Sequence, residues 1–515
     1  MTAPGQTRWP RLLLLACPPT LAFLLSVHPI DNFDLGFHLR TGEWILQHGI
    51  PATDPFSFTV AGEPWFLEQW LGATVFWLTY LGAGVRGVIL LVAAGIACAF
   101  LLSTLAARRA SGSATAAALA ALLATVAAMP RFRAQPLALS LAGLALVNLA
   151  VEEHRATGRK RSAWLLLPLF LIWPHYHVGY LYGLAALGAH AAGALAEAFA
   201  PARLRSALAA PEAPAAVART LCGVGLACLA GSAVSLALVH PLGLGVFARV
   251  FGIFASGFYR ANYEEMQPLL TSYGVDAPVL LLWGLPPLLW LIARKPVRAG
   301  HLILWALFVW SGVQVGRLVA ETSLVLVPVW ATAAVAAWRA LEEKGALQNL
   351  VRFGDPRGAA VAIALATALS AAGFWQLGYG HDTRWPEDLY PRRCYAWIEQ
   401  HRLPDRMFND MWFGGSFLFH FFPQRRVFID GRTAYGQEFF EQVYAPLKQA
   451  APGWEELASR LGLRWFLLTP TRFGRLHQAL QHSPRWRPLF HDETCSIYGD
   501  VALARALAAP EGAAP

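Results

Sequence analysis

Apolar residues run in span-length stretches along the first three-quarters of the chain and give way to shorter alternations after residue 380. The stretches fall at 12–30, 67–83, 86–107, 113–130, 136–152, 163–174, 178–199, 217–239, 277–294, 300–316, 320–339 and 358–377. About 20 apolar residues cross a bilayer, so the pattern predicts an all-α polytopic membrane bundle of about 11–13 transmembrane helices over residues 1–380. Pro174, Pro241 and Pro286 fall within or beside these stretches; backbone groups freed at such depth need protein or a wet cavity around them. Residues 381–515 read as a small soluble α/β domain. The pattern there predicts a helix over 387–401 and strands at 405–409 and 425–429. Helices near 437–449 and 454–462 follow, then a strand at 464–469 and two short strands near 487–491 and 495–499.

Composition sharpens this division. The chain is 56% hydrophobic and 14% charged, against about 25% charged in soluble domains. Of the net charge of +9, residues 1–380 carry 25 Lys+Arg against 17 Asp+Glu, and residues 381–515 carry 16 against 15. The basic excess therefore sits in the membrane half. It concentrates in the loops Arg108–Arg109, Arg155–Arg161, Arg203–Arg205, Arg294–Arg298 and Arg339–Arg357. Short Lys/Arg-rich loops stay cytoplasmic, so the charge reads as topology, with no nucleic acid as partner. This places the N-terminus in the cytoplasm. Residues 31–66, 131–135, 174–177, 240–276, Arg317 and the C-terminal domain then lie outside. The arrangement requires one net crossing between residues 67 and 107, although two apolar stretches lie there. Six cysteines in 515 residues make no disulfide framework, but Cys394 and Cys495 are free to pair if their domain is extracytoplasmic.

Under that topology the polar residues of interest gather on the outer side. Asp31 and Asp34, three apart, share one face of a helical turn, with His38 four residues on. Asp54, Glu68, Arg131, Arg133, His175, His177, Glu264, Glu265 and Arg317 join them. Such groups on an apolar body are costly unless they line a water-filled pocket. Plainer readings stand beside this one. Asp31 or Asp34 can cap a helix, Asp54 before Pro55 can make a turn, the arginines can snorkel to the interface, and Glu264–Glu265 can solvate a loop. His175 and His177 at spacing two suit a metal, but the sequence offers no third ligand. No metal residue is assigned and no cofactor is firmly implied, with a divalent metal left open.

The first outer loop carries Asn32, Asp34, His38, Leu39 and Gly42, then Asp54-Pro55-Phe56-Ser57, then Glu68, Trp70 and Leu71. This series resembles the opening motif of bacterial membrane glycosyltransferases of the C-type (GT-C) superfamily, distant relatives of protein O-mannosyltransferases and aminoarabinose transferases. Further on, Arg133-Ala134-Gln135-Pro136, LIWPHYHVG, FNDMWFGGS and VFIDGRTAYGQEFFEQVY resemble the group's later segments. Asn32 departs from the pattern, standing where the first carboxylate of a pair is expected. The resemblance implies a hexosyltransferase-type enzyme of the bacterial inner membrane, with a polyprenyl-phosphate-sugar lipid as donor and an envelope glycan, lipid or protein as acceptor. It casts Asp34 as general base, Arg133 and Arg317 as phosphate holders, and His38, His177 or Glu68 as stabilisers of the reacting centre. Inversion at the anomeric carbon is implied with it. Asp31, Asp54, Arg131, His175, Glu264 and Glu265 would complete the substrate site.

In the C-terminal domain Asp410 and the Asp430-Gly431-Arg432 segment both follow predicted strands, where ligands favour binding. Acceptor binding is one reading. The other is structural, with Gly414–Gly415 as a tight turn and Asp430 pairing with Arg432 or Arg426. Two further functions remain open: a non-catalytic scaffold in envelope polysaccharide assembly, which Asn32 permits, and a transporter or flippase of a lipid-linked intermediate, which would favour an inverted repeat that the sequence lacks.

Overall fold

The computed structural model describes residues 8–345 and 356–508. The part of the Arg339–Arg357 basic loop at 346–355 lies outside them. The chain divides into two compact units, one of residues 1–28 and 86–383, the other of residues 29–85 and 384–515. The loop at residues 31–66 is thus part of the same unit as the C-terminal residues.

All twelve apolar stretches of the sequence are helical in the structure. Among the described residues, seven helices are long and apolar enough to cross a membrane: Arg8–Ser26, Trp70–Ser111, Ala114–Arg131, Leu137–Thr157, Pro214–Val239, Gly316–Glu343 and Arg357–Trp375. Shorter apolar helices cover Gly245–Ala255, Ala277–Ala293 and Ala299–Gln314. The protein is a multi-pass membrane protein. The two stretches between 67 and 107 form one 42-residue run broken at Gly84, whose φ of 61° and ψ of −159° are not helical. Before that kink the run is about 20 Å long at 1.5 Å per residue, short of the roughly 30 Å hydrocarbon core. Only the part after it is long enough to span.

In the membrane unit, helix Val319–Glu343 is central and buries most of its first half. It packs on helix Ala114–Ala128, where alanines at nine of the 15 positions let two backbones approach. Glycines do the same elsewhere: a Cβ on Gly193 would fall 2.2 Å from the Gly300 nitrogen. The outward helices show the reverse pattern. Leu226, Leu229 and Leu238 on Pro214–Val239, and Leu365 and Leu369 on Pro356–Trp375, are exposed, as befits surfaces that face lipid.

The second unit is built on a four-stranded sheet. We label its strands β1 (Met407–Asn409), β2 (Trp465–Leu468), β3 (Trp486–His491) and β4 (Ser496–Asp500). The order is β1-β2-β4-β3, with β1 parallel to β2 and the other pairs antiparallel. A disulfide joins Cys394, on helix Arg392–Gln400, to Cys495 before β4. The core of this unit is shared between distant parts of the chain: Phe37, Ile45, Phe56, Trp65 and Leu67 of the first loop pack with Phe413, Phe417, Trp465 and Ile497.

Two segments differ from the sequence expectation. Residues 425–429 are extended but join no sheet; Val427 bridges Ser57 of the first loop instead. Its backbone N–H donates to Phe56 O, while Phe58 N–H donates to Val427 O. Gly414–Gly415, expected to turn, lie inside helix Met411–Phe421, which starts at the capping side chain of Asp410. The glycines serve close packing rather than a turn. A Cβ on Gly415 would stand 2.1 Å from Phe33 O, and one on Gly36 would stand 2.1 Å from Gly415 O. Gly415→Ala is therefore expected to lower the stability of this unit by roughly 1–3 kcal/mol or more, because the clash is with backbone that cannot rotate away. Gly436→Ala, at a site with open space around it, serves as control. Equal melting temperatures for the two variants would contradict this account of the glycine pair.

Candidate functional site

In the second unit the first loop is fastened by one guanidinium. Arg432 forms a bidentate ion pair with Asp54, its Nη2 reaching Oδ2 at 3.3 Å, and its Nε donates to both oxygens of Asp430 at 2.9 Å. All three side chains are at most 1% exposed. Phe56 and Trp65 cover the guanidinium, with ring centroids 5.1 and 4.7 Å away. Asp54 also accepts from the backbone N–H groups of Phe56 and Ser57 at 3.0 and 3.3 Å, so the turn expected at Asp54-Pro55 is present. Burial pushes the Asp430 carboxyl up, against the downward pull of Arg432.

Neighbouring polar side chains hold the adjoining backbone. Asn409, at the end of β1, accepts from Phe428 N–H at 2.8 Å and donates to Ile429 O at 2.7 Å. Asp410 accepts from Trp412 N–H at 3.0 Å and from the Thr469 hydroxyl at 2.5 Å; burial raises its carboxyl above the usual range. Asp54, Asp410, Asp430 and Arg432, expected as substrate ligands, are thus buried and fully engaged with protein. Asp430 and Arg432, joined to each other, fix the Gly431 between them.

That glycine lies against the carboxylate of first interest. A Cβ on Gly431 would fall 2.2 Å from Asp34 Oδ1 and 2.6 Å from the Phe33 ring. Asp34 is half-buried. Its N–H donates to Asn32 Oδ1 at 2.9 Å, which gives the departing Asn32 a task in shaping the turn. Asp34 is the residue before helix Leu35–His48, and its side chain makes no capping bond. Asp31 is exposed. Glu68 is half-buried and accepts from the Thr433 hydroxyl at 3.5 Å, one residue beyond Arg432.

His38 is 2% exposed, with the Phe37 ring 4.2 Å from it and Phe76 edge-on at 6.1 Å. Burial pushes its imidazole down to about 3, so it is neutral at physiological pH. The folded value lies below the unfolded one of about 6.5. The resulting stability is complete above pH 6.5 and is lost as pH falls towards 3, on the order of 1 kcal/mol per pH unit. Melting curves between pH 7 and 4.5 should therefore fall more steeply for the wild type than for His38→Phe; parallel curves would contradict the burial.

The membrane unit holds a second cluster. Arg131, 3% exposed, donates to Glu265 Oε2 at 2.5 Å and to the Tyr273 hydroxyl at 3.4 Å. Arg317 reaches Glu265 Oε1 at 3.4 Å. Burial alone would raise Glu265, but Arg317 and Arg131 hold it down at about 2. Arg133 and the buried Glu321 lie within electrostatic reach. Three cations against two carboxylates leave a positive excess. Glu264 lies in the turn Glu264–Met266, its side chain outside what is described. Glu321 was not legible as a site residue because it sits inside an apolar run.

The two histidines part company. His175 Nε2 meets Ser235 Oγ at 2.7 Å, whereas His177 Nδ1 faces Ser140 Oγ at 3.2 Å and accepts from Gly179 N–H at 3.0 Å. A Cβ on Gly179 would fall 2.1 Å from Ser140 Oγ, so that glycine is required for the arrangement. Among the described residues, no three His, Cys, Asp or Glu side chains converge as a metal site.

No protein-family model and no curated protein matches the sequence. Solved structures do. The chain is similar to ArnT from Cupriavidus metallidurans in the apo state, with TM-score 0.52 and 16% identity over 97% of this chain and 99% of that one. It is also similar to the arabinofuranosyltransferase AftD from Mycobacteria, with TM-score 0.50 and 15% identity over 97% of this chain and 40% of that one. The chain has the GT-C fold. The membrane bundle with a small C-terminal α/β region, expected from the apolar pattern and the motifs, is this fold's layout.

Proposed function

We propose that the protein is an integral-membrane glycosyltransferase that moves a sugar from a polyprenyl-phosphate-linked donor to a hydroxyl of an extracytoplasmic acceptor. The observation that carries the reading is Asp34: a half-buried carboxylate at the start of helix Leu35–His48, set against Gly431, which the buried Asp54–Arg432–Asp430 clasp holds in place. The GT-C fold shared with ArnT and with an arabinofuranosyltransferase agrees with it.

The chemistry needs few parts. Asp34 takes the proton of the acceptor hydroxyl as general base. The acceptor oxygen forms the new bond to the anomeric carbon while the bond from that carbon to the phosphate oxygen breaks, leaving polyprenyl phosphate. The added negative charge leaves on the phosphate; taken by itself, the arginine cluster of the membrane unit, Arg131, Arg133 and Arg317, has the chemistry to bind a phosphate, since guanidinium forks match phosphate oxygens. Glu265 keeps two of them in register. His38, neutral and enclosed, supports the helix that starts after Asp34, and Asp54, Asp410, Asp430 and Arg432 are positioning residues. The disulfide between Cys394 and Cys495 fits an oxidising compartment and so an extracytoplasmic second unit.

The test is turnover by the wild-type protein in lipid nanodiscs, given a panel of polyprenyl-phosphate sugars and envelope acceptors. Transfer of the sugar with release of polyprenyl phosphate is the expected result. Donor binding without turnover across the panel would overturn the enzyme reading in favour of a scaffold.

A further inference from the structure

A cavity of about 190 Å³ lies in the membrane unit where several helices terminate. Helix Trp70–Ser111 ends beside it, Leu285–Ala293 ends in its wall, Ala299–Gln314 begins there, and Val319–Glu343 passes it near its own end. Helix Leu137–Thr157 starts just beyond Arg131–Pro136 and carries Glu152 to this level, about 22 Å further along at 1.5 Å per residue. The cavity therefore belongs to the membrane interface opposite the Arg131 cluster.

Three cations line it, Lys295, Arg298 and Arg339, and among the described residues no carboxylate does. The rest of the lining is largely apolar, with Trp290 and Val297 among it. Arg298 is anchored from behind. Buried Glu152 accepts from Arg298 Nη1 at 2.5 Å and meets His301 Nε2 at 2.8 Å, and Arg298 Nη2 donates to Ala110 O at 3.2 Å. Lys295 and Arg339 are exposed, with Lys295 held 3.1 Å from Glu343. Leu291 and Leu288, one and two residues from Trp290, are exposed on the same helix. An anchored guanidinium, two exposed cations and an apolar wall, set at the depth of lipid headgroups, match one kind of ligand.

We infer that this cavity binds a phosphate ester, its oxygens on Arg298, Arg339 and Lys295. A bilayer phospholipid places its phosphate at this depth and its chains along the apolar wall; free phosphate supplies the same anion without the chains. The inference does not rest on the proposed transfer reaction.

Native mass spectrometry and thermal shift in phosphate-free buffer test this on the wild type and on Lys295→Gln/Arg339→Gln. Both substituted side chains are exposed, so the double variant keeps the fold; Arg298 is left in place because Glu152 depends on it. Phosphatidylglycerol is expected to be retained at least tenfold better than phosphatidylcholine by the wild type, and not by the double variant. Arg339→Lys should restore most of the retention. Equal stabilisation by inorganic phosphate alone, lost in the double variant, would support the site and name free phosphate as its ligand. Equal retention of phosphatidylglycerol by wild type and double variant, with no effect of phosphate on either, would overturn the inference.

Discussion

Asp34→Asn is expected to lower sugar transfer by about 10²–10⁴-fold, the range that a positioned general base contributes, while leaving donor binding intact. The substitution keeps the shape of the side chain and its packing against Gly431 but removes its capacity to accept a proton. The backbone bond from Asp34 N–H to Asn32 Oδ1 and the helix that begins at Leu35 do not involve the carboxylate, and a melting curve of the variant checks that the fold is kept. Steady-state kinetics with a donor-binding assay check this. A loss confined to binding would assign Asp34 to donor recognition instead.

The second large effect is structural. Arg432→Met should destabilise the second unit by about 3–5 kcal/mol, the usual result of stripping the cation from a buried ion pair. Asp54 and Asp430, both 0% exposed, would then face each other across a space closed by Phe56 and Trp65. The carboxylates would have to protonate or draw in water, and either outcome loosens the 56–58 and 427–428 backbone pairing. Since Gly431 lies between Asp430 and Arg432, Asp34 would lose its neighbour and activity should fall with stability. Asp54→Asn/Asp430→Asn/Arg432→Met, which removes all three charges, is expected to recover part of the loss because no unpaired buried charge remains. Thermal unfolding of the single and triple variants checks this. A single variant as stable as wild type would mean that the clasp holds nothing.

The membrane architecture was legible in the sequence because length and apolarity alone determine what crosses a bilayer. The boundary at residue 380 was equally visible in the charge density, yet it missed that residues 29–85 fold with the C-terminal unit. That association rests partly on close approaches at Gly36 and Gly415, where backbone meets backbone, and at Gly431, which meets the Asp34 carboxylate and the Phe33 ring; these leave no periodic trace. A glycine pair suggests a turn when read locally, and only the partner backbone reveals close packing. Asp430 with Arg432 was legible as a pair, but their third member, Asp54, is 378 residues away. Arg131, Glu265 and Arg317 were legible because charges are rare in that half of the chain. The network of Glu152, His301 and Arg298 was not, since Arg298 counted as one more positive charge in a basic loop.

One measurement bears most directly on the central claim: a single-turnover reaction with a labelled polyprenyl-phosphate sugar, run side by side for wild type and Asp34→Asn at saturating protein. The account predicts that both bind the donor, that the wild type passes label to the acceptor with release of polyprenyl phosphate, and that the variant does not. Transfer by the variant at the wild-type rate would contradict the role of Asp34 as the base.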